Sequence, residues 1–118
     1  MVPATSIENI SGILIFQIAD IEFCTDLKYV SAILKPNEIK HRNYITDKNT
    51  YSFSDLNYMR LEFAKFYSLQ TNINTDTSRV IFLEVYGKKL FFYVDKVNEI
   101  ITLDGIFIEN SVEMKLET

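Results

Sequence analysis

Hydrophobic and polar positions alternate along this chain in one pattern that occurs twice. Residues 13–34 and 80–101 each hold an apolar run, a two-residue turn, a second apolar run and a V-x-x-I tail. The turns are Ala19-Asp20 in the first copy and Tyr86-Gly87 in the second, 67 positions later. Apolar runs on either side of a two-residue turn are typical of a hairpin, and the tail predicts a third strand. The two copies are called here the first and second repeat units.

The same pattern sets the expected strand positions. The first unit predicts strands near 13–19, 21–25 and 28–34, and the second predicts strands near 79–86, 89–94 and 97–103. Pro36 ends the third strand, because proline cannot donate a hydrogen bond to a sheet.

Between and after the units the pattern changes. Tyr51–Phe63 alternates with a period of two near its end, which predicts a strand. Apolar residues then recur at helical spacing, so we expect one short helix near 63–69. Asp104-Gly105 is a hairpin signal, and Ile106–Leu116 alternates as a last strand or two. The chain therefore predicts an all-β fold, with many residues that favour strands.

Composition narrows the function further. The net charge of −4 disfavours nucleic-acid binding, which needs a concentrated basic surface. The mixed-charge segment 35–48 is interpreted as a solvated loop rather than a binding patch. No apolar run reaches the roughly 20 residues of a membrane helix, and no signal peptide is evident. We expect a soluble, cytoplasmic protein that does not bind membranes.

Catalytic and metal-binding patterns are missing from the sequence. The single histidine, His41, lies in a polar segment, and the single cysteine, Cys24, lies in an apolar strand where we expect it to be buried and unreactive. Residues 72–76 imitate the start of a calcium loop, but Thr77 replaces the required glycine. We therefore predict no cofactor, no metal and no enzymatic activity.

The second unit carries a family resemblance. The run VIFLEVYGKKLFFYVDKVNEIITLD, with the Val94-Asp95 pair followed by Val97 and Ile100, resembles the CheW-like domain of chemotaxis coupling proteins. The resemblance spans residues 12–104 and implies two five-stranded SH3-like β-barrels packed together. It implies one sub-barrel over about 12–50, with exchange of end strands, and a second over about 51–104.

The resemblance also implies a function, and the positions at which this sequence departs from the family pattern modify that expectation. Such a protein is a non-enzymatic adaptor between a histidine kinase's regulatory domain and chemoreceptor tips. The family's Asn-Leu-Arg-Gly motif falls on Ser52, Phe53, Ser54 and Asp55, counted back from Met59 without gaps. Because serine replaces the arginine, we expect weak or changed receptor binding. Phe91 stands where the family usually has glycine, so local packing must differ.

A kinase-pairing surface is expected on the third strand. We favour Lys28, Val30 and Ala32 with Glu38 as its outward residues, the alternative being that Val30 belongs to the core. The partner is a histidine kinase regulatory domain or a CheW-like paralogue. The alternative function is a barrel repurposed outside chemotaxis as a self-associating or other protein-binding module.

Overall fold

The structure is a computed structural model that describes residues 12–45 and 49–102. It contains eight strands among these residues: β1 (Gly12–Ile18), β2 (Ile21–Asp26), β3 (Val30–Leu34), β4 (Thr50–Phe53), β5 (Leu56–Arg60), β6 (Arg79–Val85), β7 (Lys88–Val94) and β8 (Lys96–Thr102). One short α-helix, α1, covers Phe63–Phe66, and single 3-10 turns cover Leu27–Tyr29, Pro36–Glu38 and His41–Asn43.

The two repeat units fold alike. β1 and β6 have the same length and lie 67 positions apart at both ends. The first residue of each two-residue turn has a positive φ, 56° at Ala19 and 49° at Tyr86, and Gly87 follows with 80°. Positive φ at such positions matches the right-handed twist of the flanking strands. The repeated hairpins and the short helix predicted from the sequence are confirmed.

The strands form two sheets, with orders β2-β1-β8 and β3-β6-β7-β5-β4. β3 pairs with β6, and β8 pairs with β1, both antiparallel. The third strand of each unit therefore lies beside the first strand of the other unit. The division of the chain into sub-barrels near residue 50 stays a prediction.

Two hydrophobic clusters lie on opposite faces of the β6–β7 hairpin. Cluster one joins the inner face of β1 to one face of this hairpin; its buried members are Leu14, Phe16, Ile18, Ile81, Leu83, Phe92 and Val94. Cluster two lies on the other face, and its buried members are Tyr51, Tyr58, Val80, Phe82 and Phe91. The β6–β7 hairpin is thus apolar on both faces, as strands covered on both sides are.

The single strand predicted over Tyr51–Phe63 is wrong. It is a hairpin, β4 and β5, whose two turn residues Ser54 and Asp55 have φ of 52° and 63°. The side chains of β5 also point in definite directions: Tyr58 is buried in cluster two, and the next residue, Met59, is 61% exposed. A type I′ turn without glycine gave no signal in the sequence.

The expected burial of Cys24 is also wrong, since this side chain is exposed. Cys24 lies on β2, an edge strand among the described residues, opposite Ile15. Its neighbour Phe23 faces inward beside Phe16, with ring centroids 5.7 Å apart. Side chains alternate between faces along a strand, so Cys24 lies on the outer face. The predicted turn Asp104-Gly105 and strand Ile106–Leu116 lie outside the described residues.

Candidate protein-binding surface

An open groove of about 610 Å³ brings together residues that the sequence assigned to two separate surfaces. Lys28 and Val30, expected to pair with a kinase, line one side of it, and Phe53 and Ser54, from the altered receptor motif, line the other. The groove lies between the start of β3 and the β4–β5 turn. Two edge strands of the five-stranded sheet therefore approach each other here.

Lys28 is held at the edge of this groove by its neighbours. Its backbone N–H donates to the Asp26 carboxylate at 3.0 Å, which caps the 3-10 turn. Its ammonium lies 3.8 Å from the same carboxylate and 5.2 Å from the centroid of the Tyr29 ring. These contacts are solvent-exposed, so each stabilises the protein little, but together they restrict where the charge can lie.

Val30 and Ala32 are half-buried. A β-bulge between them lets Val30 pack against cluster one and Ala32 against cluster two, while the bulged residue Ser31 is exposed. The regular alternation expected along this strand is therefore broken, and neither side chain is fully on an outer face. A role of either residue in kinase pairing stays a prediction.

Glu38 lies in a different groove, of about 530 Å³, which is also lined by Lys40 and Arg42. Its carboxylate accepts a hydrogen bond from the Lys35 backbone N–H at 2.7 Å and so caps the turn that Pro36 begins. The four predicted kinase-pairing residues are thus not gathered in one patch.

The altered motif forms the tip of the β4–β5 hairpin. Phe53 is half-buried and stacks on Phe82 of cluster two, with centroids 5.0 Å apart. Ser54 and Asp55 are exposed. Asp55 has a φ of 63°, a conformation that favours glycine, and glycine is the residue that the resemblance places at this position. Ser54, to which the resemblance assigns the place of the arginine, lines the groove with a short hydroxyl side chain.

Two tyrosines beside the groove had escaped the sequence reasoning. Tyr86 is 89% exposed at the β6–β7 turn, and its ring lies 6.1 Å from that of Tyr29. The hydrogen bond between them raises the pKa of the Tyr29 hydroxyl. Exposed tyrosines are frequent in protein interfaces because they combine apolar area with a hydrogen-bonding group. The sequence did offer a signal for Tyr86, because a large aromatic residue in a predicted two-residue turn is expected to be exposed.

Phe91 stands where the resemblance implies a glycine. It is fully buried in cluster two, where its ring stacks on Phe82 with centroids 5.5 Å apart and lies 5.9 Å from Tyr51. Aromatic packing therefore replaces the close backbone approach that a glycine would permit.

Asp95, the acid of the Val94-Asp95 pair, has a structural role. One carboxylate oxygen accepts the backbone N–H of Ala19 and the other that of Asn72, both at 2.8 Å. The backbone N–H of Asp95 in turn donates to the Gln17 carbonyl at 2.9 Å. The Asp95 side chain thus connects the β1–β2 turn and the 70–78 segment to the junction of β7 and β8 by hydrogen bonds.

The described residues contain neither a group of three or more His, Cys, Asp or Glu side chains arranged for a metal ion nor a helix long and apolar enough to cross a membrane. The grooves are lined by mixed apolar and polar side chains without a buried titratable pair.

Comparisons with known proteins agree with the sequence resemblance. The family model described as CheW-like domain matches residues 12–115. The crystal structure of scaffolding protein TtCheW from Thermoanaerobacter tengcongensis superposes with a TM-score of 0.61 at 21% identity, over 81% of this chain and 67% of that chain. No curated protein sequence matches the chain significantly. The all-β fold of two packed sheets expected from the resemblance is confirmed.

Proposed function

Because the chain belongs to the CheW-like domain family, we propose that it is an adaptor that pairs with the regulatory domain of a histidine kinase in a chemotaxis-type complex. Proteins of this family are chemotaxis scaffolds rather than enzymes. A CheW-like paralogue is the other partner in the proposal, and both would place the protein in the cytoplasm.

The single observation that carries this proposal is the family match, which includes all described residues. The groove beside Lys28 supports it, because apolar and aromatic lining side chains, a positioned cation and the exposed Tyr86 nearby are features common in protein interfaces. We place the kinase contact on the Lys28 side of this groove.

Receptor coupling is weak or changed in this proposal. Arginine forms planar, bidentate hydrogen bonds with carboxylates, and the Ser54 hydroxyl has neither the charge nor the reach for them. Asp55 adds a negative charge beside it. The variant Ser54→Arg should therefore raise affinity for a chemoreceptor tip fragment in a titration. An unchanged affinity would remove the support for assigning the motif to this turn.

The main experiment is a calorimetric titration of the full chain with the regulatory domain of a chemotaxis kinase from the same organism. We expect micromolar binding and a loss of about tenfold with Lys28→Glu, as for removal of one interfacial charge contact. Lys65→Glu, on the exposed helix α1, is the matched control and should bind as the original chain does. Equal binding by all three would contradict the assigned surface, and no binding would contradict the kinase pairing.

Self-association outside chemotaxis is the second candidate. Phe66 at the end of α1 and Tyr67 directly after it are exposed, 74% and 55% accessible, and neither lines the groove beside Lys28. Exposed aromatic groups of this kind mark possible contact surfaces. Sedimentation equilibrium would show a dimer that Phe66→Ser dissociates if this function holds. A monomer over the whole concentration range would exclude it.

A further inference from the structure

The segment 35–45 carries an excess of positive charge in a chain whose net charge is −4. It contains Lys35, Lys40 and Arg42 but only one acid, Glu38. The Glu38 carboxylate already accepts the backbone N–H of Lys35. Among the described residues, neither Lys40 nor Arg42 forms an ion pair. These two exposed cations therefore have no described carboxylate to balance them.

The same segment is attached to the hydrophobic core, which its interpretation as a solvated loop did not anticipate. The ring of Tyr51 is buried in cluster two, and its hydroxyl oxygen accepts the backbone N–H of Lys40 at 2.9 Å and the Asn43 side-chain amide at 3.4 Å. Tyr44 also forms a β-bridge with Tyr51. Because the backbone around the cations is held in place, a ligand that binds there loses less conformational entropy.

The groove of about 530 Å³ brings the two cations together with apolar side chains. Lys40 and Arg42 line it, and so do Leu34 and Phe53. Leu34 and Phe53 are half-buried and pack against cluster two. A ligand in this groove, called here the basic groove, thus meets positive charge and apolar area side by side.

The basic groove lies between the two edge strands of the five-stranded sheet. Leu34 is the last residue of β3, and Phe53 is the last residue of β4. Neither strand contains a charged residue, whereas β2 and β8, the edges of the three-stranded sheet, contain two each. Charged side chains on an edge strand oppose the addition of another strand. The uncharged edges beside the basic groove therefore suit an extended chain.

We propose that the basic groove binds an extended acidic segment of a partner protein. Side chains alternate between two sides of an extended chain, so a segment of alternating acidic and aliphatic residues fits. Its carboxylates lie at Lys40 and Arg42, and its aliphatic side chains lie against Leu34 and Phe53. Arginine is suited to this role because its guanidinium donates two parallel hydrogen bonds to one carboxylate.

A nucleic acid suits the basic groove less well. Its phosphates would extend past two cations along a chain whose net charge is −4, and tight binding needs many phosphate contacts. The proposal also does not depend on the kinase pairing, because Lys28 lines the other groove.

Fluorescence anisotropy with the full chain tests the proposal. The probe is a labelled peptide of sequence Glu-Leu-Glu-Leu-Glu, and its matched control is Gln-Leu-Gln-Leu-Gln. We expect saturable binding of the acidic peptide and at least about tenfold weaker binding of the neutral one, because the carboxylates supply the attraction to the cations. Raising the salt from about 50 to 300 mM should weaken the acidic peptide's binding by screening.

Variants of the chain test the place of binding. Lys40→Ala and Arg42→Ala should each lower the affinity about threefold, and about tenfold together, as expected for exposed charge contacts. Lys28→Ala and Lys65→Ala remove the same charge elsewhere and should leave the affinity unchanged. Tyr51→Phe keeps both cations but removes the acceptor of the Lys40 N–H, so it should also lower the affinity about threefold. Its urea unfolding curve checks that the fold is retained.

Several results would overturn the proposal. Equal binding of the acidic and neutral peptides, or no saturable binding up to about 1 mM, would exclude an acidic ligand. Equal losses in Lys65→Ala and Arg42→Ala would show that the charge of the whole chain, not the groove, attracts the peptide. Tighter binding of a labelled single-stranded DNA would overturn it in favour of a nucleic acid. Lys28 substitutions act only in the kinase titration, so the two proposals fail separately.

Discussion

The two repeat units have one strand pattern and two different degrees of burial. In the second unit, Val80, Ile81, Phe82 and Leu83 are consecutive buried residues of β6. In the first unit, buried and half-buried residues alternate along β1, and β2 has no buried residue. Similar hairpins thus serve as the centre of a five-stranded sheet in one case and as part of a smaller sheet in the other.

The difference arises from the segments between and around the units. Residues 35–45 and 49–60 fold onto the second unit and create cluster two, so the β6–β7 hairpin lies between two clusters. The first unit contributes one face to cluster one. Burial of a strand therefore depends on what packs against its second face, which its own pattern does not specify.

Phe91 and Cys24 are repeat equivalents, and their truncation measures this difference most directly. Phe91→Ala should lower the free energy of unfolding by about 3–5 kcal/mol, because it leaves a ring-sized cavity in cluster two. Cys24→Ala should lower it by less than about 1 kcal/mol. Urea titrations of both variants give these values. Equal losses would show that the first unit is as fully enclosed as the second.

The two described glycines both have a positive φ, and Gly12 is in addition sterically crowded. A Cβ at Gly12 would overlap the Ile101 carbonyl oxygen, so Gly12→Ala should push β1 from β8 and cost about 2–3 kcal/mol. Gly87 has open space around it but a φ of 80°, so Gly87→Ala should cost only about 1 kcal/mol. Thermal unfolding of both would rank them. The reverse order would contradict the close contact at the β1–β8 edge.

The repeat equivalent of Asp95 is Lys28, so the first unit has no carboxylate at this position to accept backbone hydrogen bonds. Asp95→Asn leaves a single oxygen for the N–H groups of Ala19 and Asn72 and should cost about 1–2 kcal/mol. Asp20→Asn, in the exposed β1–β2 turn, is the control and should change stability within about 0.5 kcal/mol. Chemical denaturation compares them. Similar effects for both would mean that the hydrogen bonds of Asp95 contribute little.

Asp55 offers a stabilising change outside the repeat units. Asp55→Gly should raise the free energy of unfolding by about 0.5–1 kcal/mol, because glycine adopts a φ of 63° without steric strain. Asp76→Gly, in a turn of the 70–78 loop without a positive φ, should instead be neutral or destabilising. Differential scanning calorimetry detects shifts of a few degrees. A loss of stability with Asp55→Gly would contradict the turn conformation.

Tyr93 gives the smallest effect at neutral pH. Burial, together with the Tyr44 hydroxyl 3.4 Å away, raises the pKa of Tyr93. Its folded-state pKa lies above the unfolded value of about 10, so its contribution to stability is present below pH 10 and falls as the pH rises further. Tyr93→Phe should therefore flatten the stability profile above pH 10 and change little at pH 7. An unaltered alkaline profile would contradict a buried hydroxyl.

The sequence predicted some parts of the candidate surface and missed others. The turns, the hairpins and the residues of the altered motif follow from short-range pattern, because two-residue turns and alternating apolar positions act locally. The glycine-free turn at Ser54 and Asp55 left no such signal, so one strand was predicted where two exist. The bulge at Ser31 broke the expected alternation in β3, so that Val30 and Ala32 pack against different clusters, and a period-two pattern in the sequence does not show one extra residue in a strand.

By itself the sequence determined the two repeat units, their spacing, the all-β class and the family, since these depend on local periodicity and on residue order. Only the tertiary structure decided the register in which β3 pairs with β6 and β8 with β1, that Phe91 is buried while Cys24 is exposed, and that Lys28 and Ser54 face one groove. Such relations depend on contacts between residues far apart in the chain, and a strand carries the same alternation whether its second face meets protein or water.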